Sequence, residues 1–230
     1  MALLVRSWNV FHGNTSPPGR RSYLREMVEL ATRDRPDVLC LQELPVWSLP
    51  RLGRWSGMAV AAAVARPGLR PAALAGRLTR VHNGLLRSAL AGQAIAVLAA
   101  PTRALVDLGA RQVSDPGLER RVCQVVRVGV VVVANAHLSN ERAGPVQRRE
   151  LERVHAFAES SARAGEPVVV AGDLNLREAR LDGYSPPGPG IDHVLVRGAP
   201  AGPLAVWPRE RRLHGGLLLS DHAPVELVVG

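Results

Sequence analysis

The sequence predicts an α/β fold (α+β in its segregation of elements) of the sandwich kind, with two sheets packed face to face and helices outside. Three observations predict it. Strand-like apolar runs greatly outnumber amphipathic helical stretches along the 230 residues. Two of the clearest runs, "RVCQVVRV" (121–128) and "VVVVANAH" (130–137), are separated only by Gly129, which predicts a tight antiparallel hairpin. Neither a βαβ repeat nor a low-complexity linker divides the chain, so residues 1–230 are expected to form a single domain.

The first strand is "LLVRSWNV" (3–10). "RSYLREMVELATRDR" (21–35) follows as an amphipathic helix with Leu24, Met27, Val28 and Ala31 on one face, and Pro36 stops it. "DVLCLQE" (37–43) reads as a short buried strand. The stretch 44–81, rich in Ala, Leu, Pro and Gly, carries no recognisable motif and predicts a short helix near 46–52, a strand near 57–65 and a helix near 71–80. Strand-like pieces at 83–88 and 94–99 precede the hairpin. Residues 144–165 form the strongest helix, with Pro145 near its start and Gly165 closing it. Strand "PVVVAG" (167–172) comes next. A loop, "YSPPGPG" (184–190), then leads to strands "IDHVLVRG" (191–198), "PLAVWP" (203–208) and "APVELVV" (223–229).

Composition narrows the class. Hydrophobic residues make up 47%, a globular proportion. No apolar run reaches the ~18 residues of a membrane span, and "MALLVRSWNV" carries its Arg after the apolar residues, unlike a signal peptide. A soluble, cytoplasmic monomer without a membrane partner is therefore expected. Cys40 and Cys123 sit inside apolar runs, lack metal-ligand spacing and read as buried reduced thiols. The net charge is +9, carried entirely by arginine among the 29 basic residues. That sign points to a polyanionic partner, nucleic acid or an acidic membrane surface. The Arg doublets at 20–21, 120–121, 148–149 and 211–212 read mostly as solvated surface.

Chemistry gathers at the strand ends. The run Val168–Ala171 breaks at Gly172 and delivers Asp173 and Asn175, which share a face if the backbone stays extended. Strand one ends near Asn9, strand two with Gln42 and Glu43, and the hairpin with Asn135-Ala136-His137. Asp192 begins a later strand, and "SDHAPVEL" sets Ser220, Asp221 and His222 before the last one. Each has an ordinary explanation alone: a surface carboxylate at Glu43, turn formers at Asn9 and Asn175, a satisfied strand-edge histidine at His137. Collected, they are carboxylates, amides and imidazoles without sulfur. Hard cations such as Mg²⁺ want such oxygen ligands, and the set suits phosphoryl transfer better than structural zinc.

The ordered motifs "WNV", "LQE", "HNGLLR", "NAHL", "GDLN", "ID" and "SDH" resemble the endonuclease/exonuclease/phosphatase superfamily, which includes deoxyribonuclease I and exonuclease III. The resemblance spans residues 8–225. It implies a four-layered α/β sandwich of two mostly antiparallel sheets, with the site at the sheet edges. It implies Glu43 as principal ligand of Mg²⁺ (or Mn²⁺), with Asn9 and Asp221 near the same ion. It implies Asp173 as the group that positions or deprotonates the attacking water and Asn175 as an orienting amide. His222, buttressed by Asp192, would stabilise the transition state, His137 would be a second phosphate-side histidine, and Asn83 would contact the scissile phosphate. Two departures bear on substrate: Gly190 replaces a polar group common in relatives, and aromatics amount to only 3%.

Members of the superfamily cleave DNA, RNA, inositol phosphates, sphingomyelin and protein–DNA adducts, so the fold does not select a substrate. His137 in "NAHL" resembles the deoxyribonuclease I-like and sphingomyelinase-like branches, and the positive charge favours nucleic acid. A Mg²⁺-dependent nuclease acting on DNA is the expected function. The alternatives are a phosphatase or phospholipid phosphodiesterase of the same superfamily, or a catalytically silent nucleic-acid-binding module. In superfamily nucleases the loop before the last strand faces the substrate groove, so Arg209, Arg211 and Arg212 are expected at its rim.

Overall fold

The computed structural model describes residues 2–69, 71–140 and 144–230. In chain order the strands are β1 (Leu3–Asn9), β2 (Thr15–Ser16), β3 (Val38–Leu44), β4 (Ala59–Arg66), β5 (Gln93–Ala99), β6 (Leu105–Gln112) and β7 (Val122–Val128). Then come β8 (Val131–His137), β9 (Val168–Asp173), β10 (Asp192–Arg197), β11 (Ala205–Val206), β12 (Leu213–His214), β13 (Leu217–Leu219) and β14 (Val225–Val229). The α-helices are α1 (Leu24–Thr32), α2 (Leu52–Ser56), α3 (Ala72–Val81), α4 (Asn83–Leu90) and α5 (Pro145–Ser161).

One sheet runs β11–β14–β1–β3–β5–β4 and the other β10–β9–β8–β7–β6; β12, β13 and β2 make a small third sheet. Among the described residues only β1–β3 and β8–β9 pair in parallel. The large sheets pack face to face through a valine-rich layer that includes Val5, Val38, Val97, Val126, Val133 and Val169. Alternation along each strand turns the other side chains outward, where helices cover them. Trp8, Leu39 and Leu41 meet Met27 and Val28 of α1, while Val132 and Val170 meet Leu151 and Val154 of α5. The result is the four-layered sandwich that the motif order implied.

A polar bridge ties the two sheets together near one edge. Gln42 Nε2 donates to Asn135 Oδ1 at 2.8 Å, and Asn135 Nδ2 donates to the carbonyls of Leu41 and Ala96. Both side chains are fully buried, so their bonds replace lost water and hold the sheets in one relative position. The cysteines are buried and free, as expected, Cys40 between the sheets and Cys123 beneath α5. Burial pushes the Cys40 thiol up to about 12 and raises Cys123 as well.

Three elements differ from expectation. Residues 83–88 lie in helix α4, because "NGLLRSAL" is too short for its apolar spacing to distinguish strand from helix. The edge strand β6 was not foreseen: its side chains are mostly exposed and a bulge interrupts its pairing between Asp107 and Gly109, so no alternation marks it. The stretch before β14 is not a plain loop, since it folds into a 3₁₀ turn (Arg209–Arg212) and strands β12 and β13.

Gly172 shows why the turn out of β9 has its sequence. Its φ is +143°, and an added Cβ would stand 1.8 Å from the carbonyl oxygen of Ala136 on the adjoining strand. That obstacle is backbone and cannot move away. Gly172→Ala is expected to cost about 3 kcal/mol or more, against about 1 kcal/mol for Gly57→Ala, where φ is also positive but the space is open. Thermal denaturation of the two variants checks the contrast; equal melting temperatures would contradict it.

Candidate active site

Sheet register, not sequence proximity, builds the cluster. His137 at the end of β8 pairs with Asp173 at the end of β9, and Asp173 pairs in turn with Asp192 at the start of β10. On the other sheet Asn9 of β1 pairs with Gln42 of β3, which brings Glu43 beside it. The two edges meet through Asn9, whose Nδ2 lies 2.9 Å from Asp173 Oδ2 and 3.3 Å from Glu43 Oε1. Glu43, Asn175 and Ser220 all have positive φ, so the chain turns sharply where the polar groups are delivered.

The turn at Asn175 revises one expectation. The strand ends at Asp173, and Asn175 at φ +47° does not continue on the same face. Its backbone N–H donates to Asp173 Oδ1 (3.2 Å), while its side-chain amide donates to the carbonyl of Leu138 (3.0 Å). Asn175 thus links the "GDLN" turn to the loop after His137, and Asp173 has a donor on each oxygen.

His222 and Asp192 form the expected dyad, with Nδ1 and Oδ2 2.8 Å apart. The far nitrogen, Nε2, lies 3.7 Å from Asp173 Oδ2. Burial would lower the His222 pKa, but the hydrogen bond and charge of Asp192, with Asp173 and Asp221, raise it to about 9. The ring is therefore an imidazolium at neutral pH. Burial and the charge of Asp192 raise Asp173 too, well above the ordinary aspartate range.

His137 is the chemical opposite of His222. Arg121 NH1 stands 3.1 Å from its Nδ1 and 3.3 Å from its Nε2, and Gln93 Nε2 stands 3.3 Å from Nδ1. A guanidinium only donates, so the ring must offer a lone pair. Burial and the Arg121 charge lower the His137 pKa to about 3, leaving the ring neutral. Its Nε2 lies 3.5 Å from Asp173 Oδ2 and 3.9 Å from Glu43 Oε1.

Glu43 pairs with a residue that motif reading did not find. His12 Nδ1 lies 3.0 Å from Glu43 Oε2. Burial opposes ionisation of Glu43, yet the His12 hydrogen bond helps hold its carboxyl below the usual range. The only sequence signal was a histidine three residues past Asn9. Arg121 and Gln93 were also missed. Arg121 belongs to a doublet expected on the solvated surface, and it is only 7% exposed. Asn83 is buried and donates from Nδ2 to the carbonyl of His12 at 3.2 Å, so it borders the cluster through His12.

The arginine rim is corrected. Arg211 bonds Asp34 at 2.8 Å and stacks 3.5 Å over Trp207, and Arg212 is buried with NH1 donating to the carbonyls of Leu219, Ser220 and His222. Both guanidinium groups are occupied within the fold; Arg212 holds the turn that carries His222. Arg209 alone of the three is exposed with no ion pair among the described residues. Asp221 is exposed, with its Oδ1 3.5 Å from Ser220 Oγ, and beside it a groove of about 390 Å³ opens between Arg177, Ile191, Val206 and the His222–Asp192 dyad.

Two donor sets could hold a cation. Ligand atoms of Asp173, Asp192 and His222 lie within 4.8 Å of one another, and Glu43 with Asn9 forms the second set. Asp192 Oδ1 is buried without a hydrogen-bond partner among the described residues, which leaves an oxygen donor of this set uncommitted within the protein. Oxygen donors dominate and both cysteines are buried among apolar side chains, so the residues fit a hard divalent ion.

The family model of the endonuclease/exonuclease/phosphatase family matches residues 7–222. Among solved structures, truncated TDP2 from Caenorhabditis elegans is similar with a TM-score of 0.69 at 16% identity, covering 100% of this chain and 97% of that one. A conserved protein of unknown function from Enterococcus faecalis V583 reaches 0.70 at 15% identity, with 99% of each chain covered. The mannosyl-6-phosphatase Bt3783 of Bacteroides thetaiotaomicron VPI-5482 reaches 0.67 at 15%, again with 99% of each covered. No curated protein sequence matches.

Proposed function

The chain belongs to the endonuclease/exonuclease/phosphatase family, and from that premise we propose that it is a divalent-metal-dependent phosphodiesterase whose substrate is nucleic acid, DNA foremost. The observation that carries the reading is the opposition of charge states at one point. A carboxylate with an elevated pKa, Asp173, lies between an imidazolium, His222, and a neutral imidazole, His137. A base near neutral pH beside a fixed cation suits attack of water on a phosphate.

Asp173, held by Asn9 and the Asn175 N–H, orients the water and takes its proton. His222, kept charged by Asp192, donates from Nε2 to a non-bridging phosphate oxygen as the water oxygen bonds to phosphorus and the P–O bond to the leaving alkoxide breaks, the alkoxide taking a proton from solvent. His137 offers its neutral ring to the same region, steadied by Arg121 and Gln93. Glu43 with Asn9, and Asp221 across the turn, would hold Mg²⁺ or Mn²⁺, which supplies charge neutralisation at the phosphate. The net charge of +9 supports a polyanionic substrate, and no described helix is long and apolar enough to cross a membrane.

The test is a panel of single- and double-stranded DNA, RNA, an abasic-site duplex, a chromogenic phosphodiester and a sugar phosphate. The last is included because of the likeness to a protein named as a mannosyl-6-phosphatase. DNA cleavage is expected to vanish on exhaustive chelation and to return with Mg²⁺ or Mn²⁺. Full turnover in excess chelator would sink the metal reading. Hydrolysis confined to the monoester would sink the DNA reading.

A further inference from the structure

The net charge is not spread over the molecule. Between Glu43 and Asp107 the chain has eight arginines and no acidic residue, whereas the rest has twenty-one arginines against twenty acids. The same segment exposes large aliphatic side chains. Leu74 and Val81, seven residues apart and so on one face of α3, are 43% and 71% exposed, and Leu85 of α4 is 71% exposed. Leu69 and Val64 are also exposed and border an apolar hollow of about 210 Å³ lined by Trp47 and by Ala75 of α3. Arginines frame this apolar face: Arg77 is exposed on α3, and Arg51 lies 5.5 Å over Trp47, whose ring would touch a Cβ at Gly76 of α3.

We propose that α3, α4 and the β4 edge form a docking face for an anionic lipid surface. Aliphatic side chains interleaved with arginines, on short helices without acids, satisfy both demands of a charged bilayer interface: burial of apolar groups and attraction of head-group phosphates. Nucleic acid would answer the arginines but leave Leu74, Val81 and Leu85 in water, and the face offers few rings on which bases could stack. A second copy of the chain would bring arginine against arginine. Such docking departs from the expectation of no membrane partner. The face borders the catalytic cluster, since Asn83 at the start of α4 bonds the carbonyl of His12, which in turn pairs with Glu43. Docking would hold the mouth of the site close to the membrane whichever phosphodiester is cleaved.

Vesicle co-sedimentation tests this with phosphatidylcholine alone and with roughly a quarter of phosphatidylglycerol added. Binding is expected only with the anionic lipid and should weaken with salt. Arg51→Gln and Arg77→Gln should each weaken it about five-fold, and the triple variant Leu74→Ser, Val81→Ser, Leu85→Ser about ten-fold or more. These exposed positions leave circular dichroism and hydrolysis of a soluble chromogenic phosphodiester unchanged, so loss of docking is separable from failure of the proposed reaction. Absence of binding, equal binding to both vesicles or an unaffected triple variant would overturn the proposal. So would a triple variant that loses DNA affinity, or a self-associated state, instead of vesicle binding.

Discussion

Replacing His222 with alanine is expected to reduce kcat by about 10³ or more while shifting the melting temperature by no more than a few degrees. The ring is part-buried at a turn, and the fold there is held by other groups, including Arg212 on the turn carbonyls and Ser220 Oγ on the carbonyl of Asn9. Its chemistry has no substitute, because His137 is held neutral by burial and Arg121 and cannot become the missing cation. Asp192→Asn should show the same defect in milder form and with a pH signature. In the parent, the raised pKa of about 9 keeps His222 charged across neutrality. An amide removes the hydrogen-bonded charge while burial remains, so the ring pKa falls toward or below 6.5. Relative to the parent, Asp192→Asn should be best preserved in mild acid and lose ground as pH rises through neutrality, whereas the parent's alkaline loss comes only above the higher His222 pKa. Both lose rate in acid as Asp173 is protonated. Steady-state rates from pH 5.5 to pH 9 decide this; a flat ratio of variant to parent would remove the dyad from the mechanism.

Glu43→Gln is the second large effect. The substitution keeps shape at a residue whose φ of +53° and strand-end position leave little of the core dependent on it. It removes the charge that His12 and Asn9 are arranged to support. A loss of about 10²–10³ in kcat/KM is expected, together with weaker metal binding by calorimetry and a shift of the activating Mg²⁺ concentration upward. Unchanged metal affinity with a reduced rate would move the ion to the Asp173–Asp192–His222 set and leave Glu43 as a partner of His12.

Much of the architecture was legible because long apolar runs have few alternatives. Val168–Ala171 and 121–137 are strands in any packing, and α5 announces itself by Pro145 and its apolar face. Legibility failed where local pattern is ambiguous or where a neighbour distant in sequence decides. "NGLLRSAL" is a helix because it caps the turn at Gly19 and Arg20, whose carbonyls accept from Gly84 and Asn83. Arg211 and Arg212 looked like a solvated run or a rim. Asp34 and Trp207 claim the first, and the carbonyls of the His222 turn claim the second.

The sequence by itself determined which strand ends carry carboxylates, amides and imidazoles, and through their order the family to which the chain belongs. Only the tertiary structure decided what those groups are chemically. His137 ends a strand and His222 sits in the turn before one, the same side chain in one cluster, yet one is neutral beside Arg121 and the other charged beside Asp192. Protonation depends on burial and on charges a few ångströms away, and sheet register supplies those from residues far along the chain.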